Sequence, residues 1–150
     1  MKYMFDTNVF NDILDGNIDF KNFREGIICC VTHIQRDEIN KTKDVMRRKA
    51  LNSIFSDLAE EEYPTETFVL GISRLNMGKL GDGDLYQQLK DRLDRLNQKK
   101  KKNNGMDALI GEAAIKNNLT LVTRDMEFFR VMTEFKCATA NIYQVINTHS

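Results

Sequence analysis

Gly26-Ile27-Ile28-Cys29-Cys30-Val31 runs apolar from end to end, and a strand without polar alternation is stable only when both of its faces are covered. A parallel sheet with helices on either side is therefore expected, rather than a sandwich with one wet face. The neighbouring segments agree. Lys2–Phe5 is a short aromatic strand, interrupted by Asp6-Thr7-Asn8 and followed by a helical stretch over 9–14 before Gly16. Thr32 and Gln35 stand at capping-box spacing, and the polar pattern after them predicts one helix reaching about Leu58. Pro64, the only proline, marks its end. Residues 67–72 read as a third strand, and a loop punctuated by Gly78, Gly81 and Gly83 follows. Leu85, Leu89, Leu93 and Leu96 share a helical face, and the lysine-rich stretch after them breaks the pattern. Helix over 106–117, strand over 119–122, a short helix over 126–132 and a weaker strand over 135–140 complete the chain. Strands alternating with helices predict an α/β fold: a central, mainly parallel sheet of about five strands flanked by helices, with right-handed crossovers.

A length of 150 residues suits one domain over 1–150, and neither side of the lysine run would make a sensible domain alone. No apolar run approaches the ~18–20 residues that span a bilayer, so no membrane role is expected. Met1–Phe5 lacks the ordered charge, apolar core and small residues of a signal peptide, and a cytoplasmic location follows as an expectation. Cys29 and Cys30, in an apolar strand, read as buried reduced thiols. The net charge is zero, so any polyanion-binding surface must come from local patterning. Such a pattern exists: Lys90, Arg92, Arg95 and Lys99, Lys100, Lys101, Lys102 outnumber Asp91 and Asp94, and the run leads towards Asp107. It reads either as a basic arm that holds RNA phosphates or as a solvated helix end. Arg47-Arg48-Lys49 reads as ordinary helix surface, and Phe128 and Phe129 as packing residues.

In open parallel sheets ligands bind beyond the carboxyl ends of the strands. Asp6 ends the first strand, and Asp125 follows the strand over 119–122. Asp107 is expected to open the preceding helix at the same edge, with Gly111 one turn later leaving space beside it. Glu38 is expected on the face shared by Ile34 and Val45, where a carboxylate requires a partner. A single Asp at a helix start is more often a cap than a catalyst, and Asp6, Asp107 and Asp125 each read that way alone. Four carboxylates at one sheet edge are harder to explain that way, because like charges repel unless a cation or protons intervene. His33 and His149 are the only histidines, and neither is expected to be a ligand. An all-oxygen donor set points to a hard cation, Mg2+ or Mn2+, rather than zinc. Carboxylate-held Mg2+ characteristically acts on phosphates, so phosphodiester hydrolysis is the expected chemistry.

Across nearly its whole length the chain resembles the PIN-domain nucleases, especially the VapC-like bacterial proteins. The resemblance rests on Phe5-Asp6-Thr7-Asn8, on Glu38-Ile39, on Met106-Asp107-Ala108-Leu109-Ile110-Gly111-Glu112-Ala113-Ala114, and on Leu119-Thr120-Leu121-Val122-Thr123-Arg124-Asp125-Met126-Glu127-Phe128-Phe129. It implies a Rossmann-like PIN fold, and Asp6, Glu38, Asp107 and Asp125 as the family's acidic quartet. It implies Asn8 and Thr123 as supports that orient ligands or water, and endoribonuclease activity with Mg2+ or Mn2+. It further implies a toxin role with a small antitoxin partner, and the homodimerisation common in the family. The segment 64–102 is longer than in minimal members.

Other readings fare worse or differ in class. A haloacid-dehalogenase-like phosphatase wants a second Asp where this chain has Asn8. Dinucleotide binding lacks a G-x-G-x-x-G after the first strand. The alternative from another class is a non-catalytic PIN-like module that binds RNA or a protein partner.

Overall fold

The computed structural model describes residues 1–16, 18–19, 25–69, 83–97 and 102–149. β1 (Lys2–Phe5) and α1 (Thr7–Asp15) are followed by β2 (Ile28–Val31), α2 (His33–Asn40), α3 (Val45–Leu58) and β3 (Ala59–Glu62). Then come α4 (Asp84–Asn97), α5 (Lys102–Lys116), β4 (Thr120–Val122), α6 (Met126–Glu134), β5 (Thr139–Ala140) and α7 (Ile142–His149). The five strands form one sheet in the order β3-β2-β1-β4-β5, and every pairing is parallel. Both faces are covered, as the unbroken apolar strand requires. Tyr3 and Phe5 of β1, with Cys29 and Val31 of β2, pack against α1, α3 and α7. Met4 and Cys30, pointing the other way along the same strands, pack against α4, α5 and α6. Cys29 and Cys30 are free thiols, both buried. No helix among the described residues is long and apolar enough to cross a membrane.

Several local expectations are corrected. The helix expected from Thr32 to Leu58 is two, because Asp44 starts α3 afresh and its carboxylate accepts from Arg47 N at 3.0 Å. Val45 consequently leaves the face of Glu38 and is exposed. The third strand is β3, ahead of Pro64, not 67–72; residues 67–69 are not strand, and 70–72 lie outside the described residues. Its Ala-Glu-Glu-Glu sequence has poor strand propensity, but edge strands are often charged. Glu61 meets Lys2 at 3.0 Å and Glu62 meets Arg36 at 2.7 Å. α5 starts at Lys102, four residues before the expected position, so Asp107 lies inside a helix rather than opening it. Asn104, buried there, donates to Asp94 and accepts from Asn97, joining the turn to α4. Gly111 serves a different neighbour from the one expected: a Cβ there would stand 2.7 Å from Met132 Sδ and 3.3 Å from a Phe128 ring carbon. The glycine lets α6 approach α5. Beyond β5 comes a helix, α7, that the sequence reading did not include.

The capping box is present, and it does more than start α2. Gln35 Oε1 accepts from Thr32 N at 2.9 Å, while its Nε2 donates to Phe5 O at 2.9 Å. One fully buried amide thus ties α2 to the last residue of β1. Gln35→Leu should lower the unfolding free energy by about 2–3 kcal/mol, because it strands buried polar groups at both ends. A urea titration of the two chains checks this; a loss below about 0.5 kcal/mol would contradict the assignment.

Candidate functional site

The strand order reverses about β1: the chain crosses from β1 to β2 on one side and reaches β4 on the other. Such a switch point leaves a crevice beyond the carboxyl ends of the two central strands. Asp6 stands at that edge, one residue past β1, and its backbone N–H donates to Val122 O at 2.9 Å. Its carboxylate is 5% exposed. Oδ1 accepts from Thr7 N at 2.8 Å, and Oδ2 accepts from Thr123 Oγ1 at 2.8 Å and Asn8 Nδ2 at 3.2 Å. Asp6 is therefore the cap of α1 as well as a candidate ligand. Thr123 follows β4 directly, and its hydroxyl also accepts from Asp125 N at 3.1 Å. Asp125 in turn caps α6, accepting from Glu127 N and Phe128 N at 3.0 and 3.2 Å. Glu38, two turns along α2, accepts from Thr7 Oγ1 at 2.8 Å. Hydrogen bonds thus link Glu38, Thr7, Asp6, Thr123 and Asp125 around the ends of β1, β2 and β4.

Asp107 joins the group through charge rather than through hydrogen bonds. Its carboxyl is held well above the usual carboxylate range by burial first, and then by the charges of Asp6, Glu38 and Asp125. Asp6 is pushed up to about 7 by burial, opposed by the Thr123 hydroxyl and raised further by Glu38 and Asp125. Burial likewise raises Glu38, with Thr7 and Lys41 opposing and Asp37 reinforcing. Among the described residues, no basic side chain acts on Asp6 or Asp107. The sequence-derived quartet is therefore brought to one edge, close enough for each charge to be felt by others.

It is not a ready-made cage. Among the described residues, no three His, Cys, Asp or Glu groups are positioned to hold one ion as they stand. Two of the four are occupied as helix caps, and like charges at short range hold apart. The donor chemistry still fits a hard divalent cation, because it is all carboxylate oxygen, with Asp6 buried and the other three half-buried.

Thr7 is the polar residue that sequence reasoning passed over. Its position inside Asp6-Thr7-Asn8 was the available signal, but its partner Glu38 lies 31 residues away. His33 is buried and directs Nδ1 at Asp37 Oδ2, 3.2 Å away. Asp37 thus faces His33 while Glu38 faces Thr7. In the basic segment, Lys90 pairs with Asp94 and Arg92 with Glu134 of α6, which makes these two structural ties rather than parts of an open arm. Lys99, Lys100 and Lys101 lie outside the described residues, as does the side chain of Lys102. Arg47 likewise holds Asp15 and Asn11, leaving its patch as helix surface.

Solved structures share this fold. VapBC2 from Rickettsia felis, bound to a DNA fragment from its promoter, aligns with a TM-score of 0.59 at 20% identity, covering 94% of this chain and 98% of that one. The chain has the PIN-domain fold. VapBC-1 from nontypeable Haemophilus influenzae aligns at a TM-score of 0.54 and 15% identity over 94% and 98% of the two chains. PAE2754 from Pyrobaculum aerophilum gives 0.53 and 14% over 98% and 88%. No protein-family model and no curated protein sequence matches the chain. The PIN fold is thus evident in the backbone at identities where pairwise sequence comparison carries little.

Proposed function

We propose that this PIN-fold chain is a metal-dependent endoribonuclease in which Asp6, Glu38, Asp107 and Asp125 hold Mg2+ or Mn2+. The observation that carries the reading is geometric: at the β1/β4 switch point one hydrogen-bonded chain joins Glu38, Thr7, Asp6, Thr123 and Asp125, and the charges of Asp6, Glu38 and Asp125 reach Asp107. A folded protein ordinarily spends such a cluster on binding a cation. When bound, the ion would neutralise charge developing on the phosphate and lower the pKa of the attacking water. The chain's own contribution is positional. Thr123 and Asn8 hold Asp6 Oδ2, Thr7 holds Glu38, and the start of α6 holds Asp125, so the oxygens move together with the sheet edge.

The neighbours named as VapBC pairs support a toxin role with a small antitoxin as partner, and the same reading extends to a homodimer. A non-catalytic RNA- or protein-binding module is the second reading, favoured by the capping duties of Asp6 and Asp125 and by the lack of a preformed three-ligand group among the described residues. Incubating the purified chain with RNA separates the two. The nuclease reading expects cleavage with Mg2+ or Mn2+ and none after EDTA. Cleavage that survives EDTA, or none with either metal, would overturn it.

A further inference from the structure

Beside the carboxylates lies a groove of about 450 Å³ whose walls include Thr123, Arg124, Met126, Phe129, Ile142 and Tyr143. Met126 and Tyr143 are 79% and 56% exposed, although both are large and apolar. The groove adjoins the acidic site through Thr123, although none of the four carboxylates lines it. Thr123, one of its walls, donates to Asp6 Oδ2, and Arg124 N donates to Asn8 Oδ1 at 3.2 Å. Asn8 in turn holds the same Asp6 oxygen. A phosphodiester held by the carboxylates would have this groove beside it for one flanking nucleoside.

Size and chemistry narrow the occupant. Small-ligand pockets occupy roughly 300–1,000 Å³, so the groove has room for one base and its sugar rather than for a folded segment. Aromatic faces stack unpaired bases, and methionine adapts its polarisable thioether to such surfaces. Charge plays the smaller part: Arg124 is 63% exposed at the rim, but Asp12 pairs with it at 3.0 Å and offsets its pull. We propose that this groove is a subsite for one unpaired nucleobase next to the scissile phosphate, with the Tyr143 ring as its stacking face. The proposal rests on the nuclease reading and extends it to single-stranded or looped RNA.

The chain has no tryptophan, so Tyr143→Trp creates a lone fluorescent reporter in the groove. A 2′-O-methyl single strand of about eight nucleotides, added to this variant in the Asp107→Asn background, should quench the emission saturably by about half. An abasic phosphodiester of the same length should not. Equal quenching by the abasic backbone, or none by either strand, overturns the proposal. In the otherwise unaltered chain, Tyr143→Ala should raise KM for a single-stranded RNA on the order of tenfold while kcat moves far less. An unchanged KM overturns the proposal, and an unchanged KM with a dimer turned monomer on sedimentation assigns the groove to a second copy instead. Failure of the parent reading looks different: Asp107→Asn would leave cleavage intact while base-dependent quenching persists.

Discussion

Asp107→Asn is expected to abolish metal-dependent RNA cleavage and, in the same chain, to raise the melting temperature of the metal-free protein. Both effects have one source. Asp107 sits within α5, half-buried and facing the charges of Asp6, Glu38 and Asp125. The hydrogen bonds that position those three run through Thr7, Thr123 and the start of α6, not through Asp107. An amide of the same shape removes a repelling charge without disturbing that network. Loss of an oxygen ligand and its charge at the reacting phosphate should lower kcat by about 10²-fold or more. Relief of repulsion by about 1–2 kcal/mol corresponds to a rise of roughly 3–6 °C for a chain of this size. Activity assays and thermal melts in EDTA read the two separately. A melting temperature that falls, with cleavage retained, would make Asp107 an ordinary structural residue.

The second large effect concerns pH. Asp6 has a carboxyl near 7 in the folded chain against 3.8 for the unperturbed group, so the folded state binds this proton more tightly. The stability from that proton is fully present below about pH 4 and is lost as pH rises through about 7. Roughly three pH units correspond to at most about 4 kcal/mol, and Glu38 and Asp107 are shifted in the same direction. The metal-free protein should therefore melt about 8 °C or more lower near pH 8 than near pH 5. Adding Mn2+ at the higher pH should recover much of the difference, because a ligand that binds only the folded state stabilises it by mass action. A melting temperature that stays level or climbs between those pH values would show that the carboxylates do not crowd one another.

Legibility in the sequence followed the range of the interactions concerned. Lys2–Phe5, the Thr32–Gln35 box and the leucine face of α4 depend on neighbours a few residues apart, and each was readable. So was the helical sheet cover, because an unbroken apolar strand demands it. The misread elements depended on distant contacts. β3 is three glutamates after an alanine, and it is a strand because β2 offers a free edge and because Lys2 and Arg36 take up two of its carboxylates. Asp44 looked like one more charge in a polar helix, yet its side chain restarts the helix as α3. The Gly111 gap was placed on the correct residue and assigned to the wrong neighbour, since Met132 approaches it from 21 positions later in the chain.

The same division holds at the site. The four carboxylates proposed as ligands could be picked out from residue types, from where strands end and from the family resemblance. Their mutual arrangement could not. Thr123 reaches Asp6 across 117 residues and Thr7 reaches Glu38 across 31, contacts that exist only after β1, β2 and β4 lie side by side. The raised proton affinity of Asp6 and Asp107 likewise arises from burial and from charges carried by other elements. Local pattern specified the groups and the sheet that carries them, while long-range packing alone set the distances on which their electrostatics depend.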